Sequence, residues 1–310
     1  MATPSVTVTV PATTANIGPG FDCLGAALTL YNRFSFTAIE APPGTVEIQV
    51  EGRECARVAT NSNNLAYTAF AYLFQQRSSP VPAVSIQIDL GVPLARGLGS
   101  SSTAIVGGLL GANVLAQYPL DQSDLMAMAI AMEGHPDNVV PALVGGCQLA
   151  AGDAQNAWIL CDIPWHADVV PVVAVPDFEL STKAARQVLP DRYSRTDAIF
   201  NTAHLGLLQR GLATANDSWL RAALADRIHQ PYRKTLIPGY DQVHQAAIEA
   251  GAHGLVISGA GPTLLALANR SSAAGVCEAM QQTWTELGQT VVCHALSLDP
   301  RGAITQSDPI

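Results

Sequence analysis

Lysine is almost absent from this chain of 310 residues: of its 16 basic residues only Lys183 and Lys234 are lysines, and both lie past residue 180. A Walker-type nucleotide loop needs a lysine just after its last glycine, and a protein kinase needs a strand lysine ahead of an HRD-type loop, so both are excluded. Charge of any kind is sparse, at 13% against 48% apolar residues, which excludes a disordered chain. The 25 acidic residues leave a net charge of −9 with no basic run, which argues against nucleic acid or an anionic membrane surface as a partner. No CxxC pair occurs among Cys23, Cys55, Cys147, Cys161, Cys277 and Cys293, so neither a zinc ribbon nor a redox motif is present, and all six read as reduced core residues. No window reaches about 18 uninterrupted apolar residues, and Met1 to Pro11 shows no basic stretch followed by an apolar one. The expectation is a soluble cytoplasmic protein, long enough at about 150 residues per domain for two domains.

What is present reads as strands mixed with helices. Val6, Val8 and Val10 alternate with threonines, the period of a half-buried strand, and similar alternation marks Thr45 to Glu51 and Val84 to Leu90, with a helix from Leu65 to Gln76 between them. From Ser101 to Gln117 small and aliphatic residues surround the whole helix, which predicts burial on nearly all sides. A helix over Ser123 to Met132 and strands at Gly145 to Ala151 and Ala157 to Cys161 complete the first half. The second half opens on a strand at Asp168 to Val175. Helices follow at Thr182 to Leu189, Thr196 to Ala213, Ser218 to Leu224 and Tyr240 to Ala250. Strands at Gly254 to Ser258, Thr263 to Leu267 and Thr290 to Ala295, with a helix from Ser271 to Leu287, give an α+β close. Two domains are expected to meet near Asp153 to Pro164.

Four stretches carry chemistry. Pro93, Leu94, Ala95, Arg96, Gly97, Leu98, Gly99, Ser100, Ser101 and Ser102 lie between a predicted strand and the buried helix. Glycines allow close backbone approach, and the first helical N–H groups, with the helix dipole, offer an anion site. Any one serine could simply cap the helix, but three in succession exceed that need. A Rossmann fingerprint is excluded because its third glycine is missing. Glu133 closes a helix otherwise without charge from Leu125 to Met132, and Asp137 follows four residues later across the helix-breaking Pro136, so the two carboxylates could converge and share a divalent cation. Asp137 could equally cap a helix over Asn138 to Leu143. Pro11 to Asp22 reads as a Gly/Pro-rich loop whose Asn16 and Asp22 could hold an ammonium or hydroxyl, or could form Asx turns. Ser258 to Thr263 joins two predicted strands and is compact enough to support another loop from behind.

Taken together and in this order, the stretches resemble the superfamily of galactokinase, homoserine kinase, mevalonate kinase and phosphomevalonate kinase, the GHMP kinases, over the whole chain. PATTANIGPGFDCLG (Pro11 to Gly25) and EGHPDNVVPALVGG (Glu133 to Gly146) most resemble the homoserine kinases. The resemblance implies an α+β two-domain fold. Residues 1–160 would form an N-terminal ATP-binding domain like ribosomal protein S5 domain 2, and residues 161–310 a ferredoxin-like C-terminal domain. It also implies that ATP is the co-substrate, bound by Pro93, Leu94, Ala95, Arg96, Gly97, Leu98, Gly99, Ser100, Ser101, Ser102 and Thr103 with its phosphates on Gly97 to Ser102, and its adenine near Thr60 to Asn64, with Asn64 in contact. Mg²⁺ would sit on Glu133 and Ser101, and Glu133 and Asp137 would be the catalytic carboxylates, with Asp137 at the acceptor hydroxyl as a base or as an orienting group. L-homoserine would be held by Asn16, Asp22, His135, Asp137, Asn138, Thr182 and Gly259, with Arg186 and Arg233 on its carboxylate, which suits the planar guanidinium fork. The implied reaction gives O-phospho-L-homoserine on the route to threonine, in a chain that could form a homodimer. The competing readings are a kinase of this fold acting on another small alcohol, such as mevalonate or a sugar, and a catalytically silent nucleotide-binding homologue. The retention of Glu133, Asp137 and the three serines disfavours the silent homologue.

Overall fold

The computed structural model describes residues 4–117, 120–153 and 157–307. Its first half contains strands β1 (Ser5–Asn16), β2 (Gly20–Ala38) and β3 (Val46–Gly52), helix α1 (Leu65–Gln76) and strand β4 (Val84–Leu90). Helices α2 (Ser100–Leu115), α3 (Gln122–Glu133) and α4 (Pro136–Val144) follow, then the hairpin β5 (Cys147–Gly152) and β6 (Trp158–Asp162). The second half runs β7 (Val169–Pro176), α5 (Thr182–Gln187), α6 (Arg195–Thr214), α7 (Asp217–Ala223), α8 (Gln230–Arg233) and α9 (Tyr240–Glu249). It ends with β8 (Ala252–Ile257), β9 (Leu264–Asn269), α10 (Ala273–Glu286), β10 (Val291–Ala295) and β11 (Ile304–Ser307).

The first sheet has seven strands, in the order β11-β1-β2-β4-β3, with β5 on β2 and β6 on β5. Its pairings are antiparallel except β3 with β4, which are parallel and joined through α1. Val6, Val8 and Val10 of β1 face inward beside Phe36 and Phe34 of β2. Against this face lies α2, whose glycines let it approach: a Cβ on Gly107 or Gly111 would come within 2.5 or 2.4 Å of the rings of Phe34 and Phe36. The expectation of a helix buried on most sides is met, and the start of α2 is thereby fixed at the rim of the sheet.

The second sheet is wholly antiparallel in the order β10-β7-β9-β8. Counted within this half, that is the 4-1-3-2 order of a ferredoxin-like βαββαβ unit. One apolar core lies under each sheet, and a third joins them, with Ala12, Ile17, Leu24 and Leu28 meeting Val173, Leu208, Leu265 and Leu267.

One sequence expectation is corrected here. Pro11 to Asp22 is not a loop after a short strand, because β1 continues to Asn16 and turns directly into β2, a strand of 19 residues. The expected domain division at residue 160 falls inside β6, and the chain's end leaves the second half. Asp299 accepts from Tyr31 Oη at 2.7 Å and its N–H donates to Ala27 O at 2.9 Å, after which β11 pairs with β1. That pairing covers backbone groups that β1 would otherwise expose at the sheet edge.

Candidate active site

Where the two halves meet, a cleft of about 480 Å³ opens, within the size range of small-molecule sites. Its floor is the turn between β4 and α2. Gly99 precedes α2 with φ 65°, and no side chain caps the helix. The first amide to find an acceptor is Thr103 N–H, on Gly99 O at 3.0 Å. The N–H groups ahead of it are left for an anion, and the helix dipole adds positive potential there. Capping therefore does not explain the serines. Ser101 Oγ and Ser102 Oγ donate to Glu133 Oε1 at 3.1 and 3.0 Å, and Thr103 Oγ1 donates to Ser100 O.

The turn is held from behind by the β8–β9 connection. Ser258 Oγ donates to Gly97 O at 2.6 Å, and Thr263 N–H donates to Arg96 O at 3.2 Å. Gly97 has φ 78°, and a Cβ there would lie 2.3 Å from Ser258 O, so only glycine fits. The supporting role expected for Ser258 to Thr263 is thus realised.

Glu133 at the end of α3 and Asp137 in the first turn of α4 line the same cleft. Asp137 is buried; its Oδ1 makes a short contact with His135 Nδ1 and accepts from Asn138 Nδ2 at 3.3 Å. That contact raises the His135 pKa against the opposing effect of burial. Asn138 Oδ1 is taken by Thr13 Oγ1 at 2.8 Å. Cys23, on the same hairpin as Asp22, has its thiol pushed up to about 11 by burial and by the nearby carboxylates, which keeps it protonated and unreactive.

Opposite charges gather at the other end. Asp22 accepts two hydrogen bonds from Arg186, each 2.9 Å, joining the first hairpin to α5. The pairing raises the Arg186 pKa. Arg233, almost fully buried, donates from Nε to Ala185 O at 3.1 Å and from Nη1 to Gly259 O at 3.1 Å. Burial lowers its pKa, and Asp22 opposes that fall. A carboxylate with an adjoining ammonium matches this set of two guanidiniums and one carboxylate.

Of the residues singled out in the sequence, Asn16, Asp22, Asn64, Leu94, Ala95, Arg96, Gly97, Gly99, Ser100, Ser101, Glu133, His135, Asp137, Asn138, Thr182, Arg186, Arg233 and Gly259 line the cleft. Pro93, Leu98, Ser102 and Thr103 do not: Leu98 is a core residue, and the hydroxyls of Ser102 and Thr103 are turned to Glu133 and Ser100. Besides the pairs already described, three more lining residues, Asn16, Asn64 and Arg96, have side chains bound within the protein. Asn16 donates to Gly259 O and accepts from Asp22 N–H, which positions Asp22. Asn64 caps α1, accepting from Ala66 N–H and donating to Ala59 O. The Arg96 guanidinium donates to Leu94 O at 2.6 Å, Pro176 O at 2.9 Å, Asp177 O at 2.8 Å and Glu54 at 3.1 Å. Thr60 to Ser62 lie off the cleft; Val58, Ala59, Leu65, Ile88 and Leu90 form an apolar wall beside Asn63 and Asn64 that suits a planar base. The sequence reading missed that wall, because apolar strand and helix residues carry no local sign of a ligand.

Among the described residues no three His, Cys, Asp or Glu side chains converge on a metal, and no helix is long and apolar enough to cross a membrane. Mg²⁺ needs no such cage, since it is held by one or two hard oxygens together with substrate phosphates. The Glu133 carboxylate and Ser101 hydroxyl, 3.1 Å apart at the start of α2, fit that requirement.

Comparison with known proteins agrees with this geometry. The family model for the GHMP kinases N terminal domain matches residues 64–146, and that for GHMP kinases C terminal matches residues 205–286. A homoserine kinase of Microchaete diplosiphon is 64% identical over 96% of this chain and 96% of its own length; one of Trichormus variabilis is 63% identical over 96% and 98%. The crystal structure of homoserine kinase from Cytophaga hutchinsonii superposes with a TM-score of 0.88 at 28% identity, covering 97% of each chain. With an uncapped helix start facing Glu133 in one cleft, and these matches along nearly its full length, the chain belongs to the GHMP kinases, ATP-dependent phosphotransferases, and within them to the homoserine kinase family.

Proposed function

We propose that the chain transfers the γ-phosphoryl group of ATP to the side-chain hydroxyl of L-homoserine, giving O-phospho-L-homoserine and ADP on the route to threonine. The observation that carries this reading is the joint occupation of one cleft by an uncapped helix start and by the Asp22, Arg186 and Arg233 set, an anion site and a zwitterion site together. The γ-phosphate lies on the amides of Ser100 to Ser102. The α-carboxylate lies on Arg186 and Arg233, and the ammonium on Asp22, so that binding exchanges the internal Asp22–Arg186 pair for two pairs with the substrate. Asp137 accepts a hydrogen bond from the acceptor hydroxyl and aims its oxygen at the phosphorus, with His135 and Asn138 fixing the carboxylate. Phosphoryl transfer through a loose transition state asks mainly for such positioning and for charge neutralisation.

Glu133 and the Ser101 hydroxyl would hold Mg²⁺, which when bound neutralises phosphate charge. An ATP-consuming biosynthetic step of this kind also fits the cytoplasmic setting expected from the sequence. The test is ADP release with ATP, Mg²⁺ and a panel of acceptors: L-homoserine, mevalonate, galactose and shikimate. Homoserine is expected to dominate, with phosphorus NMR showing a phosphomonoester on its side-chain oxygen. Faster turnover of any other acceptor would overturn the substrate assignment.

A further inference from the structure

Beneath the two arginines lies an aromatic pair that the proposed chemistry does not use. Phe21, next to Asp22 on the first hairpin, is half-buried, and its ring centroid is 4.9 Å from the Arg233 guanidinium carbon and 5.8 Å from that of Arg186. It does not line the cleft. His229 stacks on it with centroids 5.0 Å apart and planes 21° from parallel. Fully buried, His229 places Nε2 at 2.8 Å from Gly18 O, and a carbonyl only accepts, so Nε2 carries the proton. Nδ1 then has a lone pair and no partner. Burial disfavours a second proton on the ring, against the opposing pull of Asp226. The backbone fixes it further: the N–H groups of His229 and Gln230 donate to Asp226 Oδ2, while Asp226 Oδ1 accepts from Asn201 Nδ2 at 2.7 Å.

Two guanidiniums brought together to grip one carboxylate repel each other, and Asp22 pairs with only one of them. A second carboxylate beneath them would relieve the repulsion but would occupy the same N–H donors that the ligand needs. An aromatic quadrupole attracts the cations and leaves those donors free. Resting on the proposed reading of this site, we infer that Phe21 is a positioning residue for acceptor recognition: stacked on His229, its ring holds Arg186 and Arg233 convergent for a ligand carboxylate.

The test uses the full chain with mono-, di- and trifluorinated phenylalanine at position 21, a nearly isosteric series that drains the quadrupole stepwise. Calorimetry reads the affinity for L-homoserine and for its α-amide, and steady-state kinetics reads both KM values and kcat. Homoserine affinity is expected to fall stepwise, by about five- to tenfold for the trifluorinated ring. Affinity for the amide, KM for ATP and kcat should stay within about twofold. Phe21→Leu should show the same loss and Phe21→Trp should restore affinity. A flat fluorination series with wild-type turnover on homoserine overturns the role of the ring alone, and equal weakening of acid and amide does so too. Tight homoserine binding without phosphorylation, with the stepwise loss intact, overturns the proposed reaction but keeps the ring. If homoserine does not bind the wild-type chain, both fail.

Discussion

Replacing Arg96 by methionine removes a guanidinium that joins the phosphate turn to both halves of the molecule while leaving an apolar stem of similar length. The side chain is 7% exposed, and its fork donates to Pro176 O, Asp177 O, Leu94 O and Glu54 Oε1. Glu54 in turn accepts from Leu94 N–H at 2.8 Å and from Arg57. Three carbonyls therefore lose a donor, while Glu54 keeps other partners, which limits the damage. Breaking a buried charged pair from one side costs roughly 3–5 kcal/mol, and the remaining partners of Glu54 place this case near 3. In a chain of this size each kcal/mol lowers the Tm by about 2 °C, so a fall of about 6 °C is expected in calorimetry. Arg96→Lys keeps a charge near Glu54 but not the fork, and should lose about half as much. The family resemblance implies Arg96 near ATP, whereas its guanidinium is here bound to Pro176 O, Asp177 O, Leu94 O and Glu54. An Arg96→Met protein with an unchanged Tm and a KM for ATP raised more than about tenfold would refute this assignment and return the guanidinium to the nucleotide.

Gly97→Ala would drive a Cβ to within 2.3 Å of Ser258 O at φ 78°, so the phosphate turn must move; KM for ATP should rise at least about tenfold by coupled assay, with KM for homoserine less affected. Arg233→Ala removes a charge-assisted contact worth about 1.5–3 kcal/mol, so KM for homoserine should rise about 10- to 150-fold while KM for ATP stays nearly constant; equal changes in both would contradict its place on the carboxylate. Asp137→Asn should lower kcat by at least about a hundredfold and leave ATP binding, read by calorimetry, within about threefold; unchanged turnover would remove Asp137 from the mechanism. The folded-state pKa of His135 is raised above 6.5 by its bond to Asp137, so the pair stabilises the folded chain fully below that value and loses its effect as pH rises through the higher one. The Tm difference between wild type and His135→Gln should therefore be largest below pH 6.5 and shrink as pH rises through the higher folded-state value, and a constant difference would show that the proton is not involved.

How far the sequence discloses this molecule depends on whether a residue's partner is near it in the chain. The phosphate turn was readable because its chemistry is local: glycines, serines and a helix start lie within ten residues. The β1 strand was readable only to Val10, where one face still alternates with threonine. From Pro11 to Asn16 both faces are buried, so the alternation that betrays a strand disappears and Gly/Pro content suggests a loop. The same burial hides the stretch of β2 from Leu24 to Leu28. β11 escaped notice because four polar-flanked residues carry no pattern of their own and become a strand only through β1, some 300 residues earlier.

Within the site, residue type and local pattern pointed to Gly97 to Ser102, Glu133, Asp137, Asn16 and Asp22, and the family resemblance supplied the rest of the named residues, most of which line one cleft. None of these showed which of those groups are already engaged. Asp22 and Arg186 are 164 positions apart and bind each other; Asn16 and Gly259 are 243 apart and do the same. Arg96 is bound to the end of β7, at Pro176, 80 positions on. Asn16, Asn64 and Arg96 line the cleft, and their side chains are at the same time bound within the protein, where they support the loops that form it. The same reasoning gives Phe21 its importance: it has no hydrogen-bonding group to draw attention in a sequence, and only the fold sets it beside the guanidiniums of Arg186 and Arg233.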